Sequence, residues 1–164
     1  MPDAEATFNA LMSALDYPMF IVTAAHGDDR DGCLIGFATQ ASIHPPRFLA
    51  CLSDKNHTTR IALKAEHLGV HFVPAERDDL AQHFGGLTAD EDPGKLDEVA
   101  WSEGPHGVPL LDDCPNRFVG RVLERLDGGD HIAHLLHPVA AEKSAGYHEF
   151  TFHRAKRIHP GHPA

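Results

Sequence analysis

The sequence lacks the signals of several common protein classes. Its three cysteines, Cys33, Cys51 and Cys114, form no C-x-x-C pair, so zinc-ribbon and thiol redox motifs are absent and a disulfide framework is not expected. No apolar run approaches the roughly 20 residues that a membrane-spanning helix needs. The acidic start of the chain has no signal-peptide pattern. These absences predict a cytoplasmic protein without a membrane segment.

Basic residues are also scarce. Lysine and arginine together number 14 against 24 acidic residues, which gives a formal charge of −10, and a surface this acidic repels nucleic acid. The chain has no P-loop, no Rossmann glycine fingerprint and no nucleophile elbow. Its 164 residues fit one domain. We expect a core over 17–142, an N-terminal helix over 4–15 and a tail over 143–164.

Short apolar runs separated by turn residues predict a mainly β protein. They are not spaced as alternating strands and helices, so a meander is expected rather than a parallel sheet. The expected strands are 19–25, 33–41, 48–53, 70–73, 117–126 and 131–141, with a possible last strand over 148–152. The last two of the six firm strands form a hairpin around Asp-Gly-Gly-Asp at 127–130. Short helices are expected over 4–15, 60–67 and 76–84.

Polar side chains cluster in the stretch 39–60. One group ends a strand, and a second group lies one strand later at the start of a helix, where unpaired N–H groups favour a phosphate. The first group is Thr39, Gln40, Ala41 and Ser42; the second is Ser53, Lys55, Asn56, Thr58 and Arg60. On spacing alone two interpretations stay open. The stretch either binds a flat ring with a phosphate tail or is an ordinary helix cap with turn residues.

Histidine is abundant, with 14 residues, and His131, His134 and His137 suggest a metal site. On a strand, however, residues 131 and 137 face one side and residue 134 the other, so the three rings do not converge. We therefore predict structural or surface roles for these histidines and no metal site.

The order of motifs resembles the flavin reductase-like FMN-binding split-barrel family over about Tyr17 to Glu142. No single motif is specific, but their ordered run at plausible spacing is. The run comprises YPMFIVTA, Gly36, T-Q-A-S before Pro45-Pro46, FLACLSDKNHT, LAQHFGG, GVPLL and Gly129-Asp130-His131.

That resemblance implies a fold, a function and site roles. The fold would be a six-stranded antiparallel Greek-key split barrel with short flanking helices, assembled as a homodimer. The activity would be hydride transfer from NADH or NADPH to FMN or FAD, with reduced flavin supplied to a monooxygenase partner. Residues 39–42 would contact the flavin ring, and Ser53, Lys55, Asn56, Thr58 and Arg60 would hold its phosphate. His131 would be the catalytic-site residue that positions the nicotinamide or tunes the flavin, with Asp130 fixing the turn or the imidazole.

Departures from the family pattern leave alternatives open. The run IAHLLHPV after Asp130 is bulkier than in many members, which puts nicotinamide specificity in doubt. One alternative is an FMN-binding electron-transfer or sensor protein without NAD(P)H turnover. A second is a split-barrel protein that binds haem or a deazaflavin. A metal-binding role based on histidine is the least favoured.

Overall fold

Strands dominate the structure. The computed structural model describes residues 3–86 and 95–157, and within these ranges the chain forms nine strands and four α-helices. The strands are β1 (Phe20–His26), β2 (Asp29–Ile35), β3 (Ala38–Ser42), β4 (Arg47–Ser53), β5 (His67–Phe72), β6 (Trp101–Glu103), β7 (Pro109–Leu111), β8 (Arg117–Asp127) and β9 (His131–Glu142). The helices are α1 (Ala4–Ser13), α2 (His57–Ala62), α3 (Asp78–Gly86) and α4 (Phe152–Ala155).

One large antiparallel sheet organises the molecule. Its strand order is β2-β1-β5-β8-β9-β4-β3, and β6 pairs with β7 as a separate two-stranded sheet. All registered pairs are antiparallel, including the long β8–β9 hairpin. The prediction of a mainly β, antiparallel fold with few helices is therefore confirmed.

The core lies on both faces of β1. Successive side chains of a strand point to opposite faces, and β1 is buried on both. Val22 belongs to an apolar cluster with Ile61 of α2, whereas Ile21 belongs to a second cluster with Leu80 and Phe84 of α3. The two short helices thus pack on opposite faces of the same part of the sheet.

The strand count differs from the prediction. The sheet has seven strands rather than six, because the expected strand 33–41 is divided into β2 and β3. The division falls at Gly36, where an added Cβ would lie 2.7 Å from the Tyr17 ring; the chain passes too close to this ring for a side chain. Strands β2 and β3 are the two outer strands of the sheet, so closure into a six-stranded barrel is not confirmed.

Other element boundaries also shift. The expected helix 60–67 begins earlier, at His57, and ends at Ala62, while the last residue of that range, His67, begins β5. Asn56 caps α2, because its side chain accepts a hydrogen bond from the Thr58 amide. The possible last strand 148–152 is reduced to two isolated bridges, Pro18 with Thr151 and Pro74 with Glu149.

Helix α1 forms where the apolar spacing predicted it, yet it buries none of its residues. Phe8 and Leu11 are 57% and 61% exposed, and Met12 and the following Leu15 are also exposed. The chain therefore presents an uncovered apolar face at its N-terminal helix. No helix in the described ranges is both long and apolar enough to cross a bilayer.

Candidate functional site

Strand β3 carries the first predicted group of polar residues along an open edge of the sheet. Thr39, Gln40 and Ala41 are exposed, and β3 pairs only with β4 within the described ranges. A register shift between Gln40 and Ser42 marks a bulge. An outer strand leaves a row of backbone N–H and C=O groups without sheet partners. These groups are available to a ligand that lies along the edge.

The end of β4 and the start of α2 carry the second predicted group. The Ser53 hydroxyl accepts a hydrogen bond from the Lys55 amide at 3.3 Å, and the Ser53 carbonyl accepts from the Asn56 amide at 3.1 Å. The Asn56 side chain accepts from the Thr58 amide at 3.0 Å. The loop is therefore held by its own polar side chains, while the cationic Lys55 and Arg60 remain exposed.

Thr58 is the exception to this local pairing. Its side chain is fully buried, and its hydroxyl oxygen has no hydrogen-bond partner in the described part of the chain. A buried hydroxyl without a partner costs roughly 1–3 kcal/mol. Such a group at a helix start is suited to a bound polar ligand or an ordered water.

His131 lies beside this loop. It is the register partner of Ser53 across the β4–β9 pair, and the Asp54 amide donates to the Asp130 carbonyl at 2.9 Å. The His131 Nδ1 is 2.7 Å from the Asp130 carboxylate, and this hydrogen bond is the main cause that lowers the pKa of Asp130. The imidazole is therefore oriented by Asp130, one of the two roles expected for that carboxylate.

The two predicted groups lie at different points along the same strand. Thr39 is opposite Leu49 on β4, four residues before Ser53, which places the two groups about 13 Å apart along the strand. Phe37 lies between them: its carbonyl accepts from the Cys51 amide at 2.8 Å, and its ring centroid is 4.7 Å from that of His131. An elongated ligand is needed to contact both groups.

A cavity of about 280 Å³ opens next to the loop. Of the predicted residues it is lined by Ser53, Asn56 and His131. Its other walls include Tyr17, Gly36, Phe37, Phe152 and Lys156, which sequence reasoning missed. The remaining predicted residues, Thr39, Gln40, Ala41, Ser42, Lys55, Thr58 and Arg60, lie outside its lining.

The missed walls come from distant parts of the chain. The Tyr17 and Phe152 rings stack with centroids 4.7 Å apart, although the two residues are 135 positions apart in the sequence. Only the aromatic character of the two residues was visible beforehand, and aromatic residues are common in cores. No local spacing signal identifies this wall.

The three histidines of β9 do not form a metal centre. His134 is fully buried and its Nδ1 is 3.0 Å from the Ile132 carbonyl, whereas His137 lies 2.8 Å from an Arg47 nitrogen. No group of three or more potential metal ligands is found within residues 3–86 and 95–157.

Comparison with known proteins places the chain in a family. Residues 12–158 match the family model of the flavin reductase like domain. The chain is similar to the 4-hydroxyphenylacetate 3-monooxygenase reductase component of Salmonella typhimurium, with 23% identity over 93% of this chain and 89% of that protein. It is also similar to the FMN reductase (NADH) RutF of Bradyrhizobium diazoefficiens, with 26% identity over 85% of this chain and 77% of the relative.

The fold comparison agrees. The NADH:FAD oxidoreductase structure from Streptomyces globisporus superimposes with a TM-score of 0.81 at 21% identity, covering 93% of this chain and 90% of that chain. The family match spans most of the sequence, including both polar groups and the Asp130–His131 pair. The chain therefore belongs to the flavin reductase like domain family.

Proposed function

We propose that the protein is an NAD(P)H-dependent flavin reductase that transfers hydride from a nicotinamide to FMN or FAD. One observation supports the proposal most directly. In a member of this family, the open edge of β3, the loop with cationic residues after β4 and the oriented imidazole at the start of β9 lie along neighbouring strands. Related reductases named as monooxygenase components support the supply of reduced flavin to a monooxygenase.

The residues present suit a flavin in two respects. A flavin ring has donors and acceptors on its edge, and the outer backbone groups of β3 offer complementary ones. The phosphate tail needs donors and positive charge, which the Ser53–Arg60 segment carries, and the hydroxyl of Thr58 is buried without a partner in the described chain. The open edge and the loop therefore match the two chemically different ends of the ligand.

Each residue has a distinct task in this proposal. Thr39, Gln40, Ala41 and Ser42 bind the ring with backbone and side-chain groups, and Ser53, Lys55, Asn56, Thr58 and Arg60 bind the phosphate. When bound, the flavin supplies a ring that accepts hydride, a step that needs no protein acid or base. His131 acts by positioning: oriented by Asp130, it holds the nicotinamide against the ring and helps to exclude water.

The proposal includes a homodimer. The uncovered apolar face of α1, together with the exposed Phe37 and Ile43 near β3, supports a homodimer in which a second copy covers these side chains. The flavin would then lie near the subunit interface. Closure of the sheet into a six-stranded split barrel, a single domain over 1–164 and a cytoplasmic location remain predictions.

The decisive experiment measures flavin content and NADH oxidation by the purified protein. We expect FMN or FAD uptake and NADH oxidation that depends on added flavin. Flavin uptake without NADH or NADPH oxidation would instead indicate an FMN-binding electron-transfer or sensor protein. A Soret band, or no flavin uptake at all, would contradict the proposal, and the former would favour the haem alternative. Size-exclusion chromatography with light scattering tests the dimer.

A further inference from the structure

The C-terminal segment of the described chain contributes one wall of the cavity. Phe152, Ala155 and Lys156 belong to the cavity lining, and the Phe152 ring stacks on Tyr17, which lines the cavity as well. This segment lies outside the range 17–142 over which the resemblance in sequence was drawn. This part of the cavity wall therefore has no role that the resemblance assigns.

The stack of Tyr17 and Phe152 differs from the aromatic pairs of the core. Its ring centroids lie 4.7 Å apart at an interplanar angle of 10°, whereas Phe20 meets Phe48 at 79° and Phe72 at 83°. Edge-to-face pairs interlock, but in a parallel offset stack each ring presents a flat face. Another planar ring is able to replace one partner without any change in the other. The Tyr17 face that Phe152 covers therefore has a shape that suits a planar ligand.

The two rings differ in how firmly they are held. Tyr17 leads into β1 through the buried Met19, and its ring lies so close to Gly36 that an added Cβ there would be 2.7 Å from it. Phe152 instead begins α4, a helix of four residues with none buried. Exposed polar contacts tie α4 to its surroundings: His153 with Asp16, Lys156 with Ser13 and Arg154 with Asp78. Because exposed contacts of this kind contribute little to stability, opening of α4 costs less than opening of β1.

The same cavity reaches the neighbourhood of both β3 and His131. Gly36 and Phe37 line it and directly precede β3, whose open edge carries the proposed contacts to the flavin ring. His131 lines it too, with its ring centroid 4.7 Å from that of Phe37. The buried Met19 adds an apolar wall. A planar, uncharged ring that enters this cavity therefore lies close to the proposed position of the flavin ring.

We propose that Tyr17 is a stacking platform for the dihydronicotinamide ring of NADH or NADPH, and that Phe152 covers this platform until the ring displaces it. The inference rests on the proposed function, in which the nicotinamide nucleotide is the hydride donor. The dihydronicotinamide ring is nearly planar and uncharged, as the stack and the apolar wall require. Because only the uncovered fraction of the protein binds the ring, the apparent affinity is reduced by that fraction. Phe152 thereby sets the nucleotide concentration at which the site fills.

The competing interpretation is that Tyr17 and Phe152 only pack against each other. In that case removal of either ring loosens the same wall, and both changes weaken ligand binding together. A platform and its cover instead have effects of opposite sign. Removal of the cover tightens nucleotide binding, whereas removal of the platform weakens it.

The experiment measures NADH binding by NADH fluorescence, FMN binding by flavin fluorescence, and the KM and kcat of NADH oxidation at saturating FMN. We expect Phe152→Ala to tighten NADH binding and lower the KM for NADH about fivefold, with kcat and FMN binding changed by less than about twofold. Phe152→Leu, which keeps apolar bulk without a planar ring, should act in the same direction and guards against loss of folding. Tyr17→Leu should weaken NADH binding about fivefold. Combined with Tyr17→Leu, Phe152→Ala should no longer tighten it.

Arg157→Ala is the matched control. This exposed residue follows α4 in the same segment but lies outside the cavity lining, so its removal should leave both affinities unchanged. Unchanged or weaker NADH binding in the two Phe152 variants would overturn the inference. Tightening of FMN binding in place of NADH binding would also overturn it, because the flavin would then be the ring that displaces Phe152. Absence of flavin-dependent NADH and NADPH oxidation in the wild type would instead contradict the proposed function.

Discussion

Two histidines show how a ring built into the framework of the sheet differs from a ring beside the cavity. His71 lies on β5 and is fully buried; its Nδ1 donates to the Ile21 carbonyl at 2.9 Å, and its Nε2 accepts from the Leu111 amide at 3.0 Å. His131 lies at the start of β9 and is 25% exposed, with Asp130 as its hydrogen-bond partner. The His71 ring joins β5 to β1 and β7, whereas the His131 ring is oriented beside the cavity.

The difference lies in how polar groups are satisfied. At His71 both ring nitrogens bond to backbone groups, so the neutral ring is part of the framework, and burial lowers its pKa to about 4. Around β3 and the start of α2, by contrast, an open strand edge and the buried Thr58 hydroxyl leave hydrogen-bonding capacity that the described chain does not use. We therefore expect stability to depend mainly on the first region and the proposed flavin binding on the second.

The largest expected effect comes from removing the central histidine. His71→Ala leaves the Ile21 carbonyl and the Leu111 amide without their partner and creates a cavity, so the free energy of unfolding should fall by about 4 kcal/mol. Urea denaturation of the wild type and the variant measures this difference in the free energy of unfolding. As a control from the outer edge, Gln40→Ala should change this free energy by no more than about 0.5 kcal/mol. A similar small change for both variants would remove the contrast between the two regions.

The low pKa of His71 also predicts an acid sensitivity. The unfolded chain binds this proton with the ordinary pKa of 6.5 and the folded chain with a pKa of about 4. The neutral His71 ring therefore makes its full contribution to the free energy of unfolding above about pH 6.5. This contribution, about 3 kcal/mol, is lost as the pH falls towards 4. The difference in unfolding free energy between wild type and His71→Ala should narrow over this range; a constant difference would contradict the prediction.

Beside the cavity, His131→Ala should affect turnover more than folding. Because the imidazole positions reactants and no proton transfer is required of it, we expect flavin-dependent NADH oxidation to slow about tenfold, equivalent to about 1.4 kcal/mol. Stopped-flow measurement of flavin reduction tests this. The exposed His148→Ala serves as the control. Complete loss of activity in a folded His131→Ala protein would assign the ring a chemical role instead.

The smallest effect is expected from an exposed cation of the loop. Lys55→Ala should weaken FMN binding about fivefold, or about 1 kcal/mol, and leave riboflavin binding nearly unchanged. Lys64→Ala removes another exposed lysine close in sequence and should change neither affinity. Fluorescence titration with both flavins decides the matter, since equal losses for FMN and riboflavin would exclude Lys55 as a phosphate ligand.

Much of the fold was predictable because its signals are local. The β8–β9 hairpin follows from two apolar runs around Asp-Gly-Gly-Asp, and Gly129 there adopts a positive φ of 124°. A helix cap in the stretch 53–60 was predictable from its residue types, and the structure shows that Asn56 is this cap. Where the structure depends on a close approach between residues distant in the sequence, local signals did not predict it. The break at Gly36 depends on Tyr17, whose distance in space no run of residues encodes.

The lining of the cavity was predictable only in part. Ser53, Asn56 and His131 line the cavity and lie in motifs that the sequence displays in family order. Two buried contacts were not predicted: His57 with Asp31, 26 positions away, and Asp31 with Lys95, 64 positions away. Contacts at such separations arise only when the sheet and its covering segments are assembled.

The bulge in β3 has a consequence for how the chain behaves at high concentration. A straight outer strand invites a neighbouring molecule to add its own strand, and repetition of that pairing produces insoluble aggregates. Here the register shift after Gln40 and the adjoining Pro45 and Pro46, which lack amide hydrogens, interrupt the regular ladder that such an addition requires. A small molecule needs only a few neighbouring groups, so under the proposed function this edge would still accept a cofactor while discouraging polymerisation.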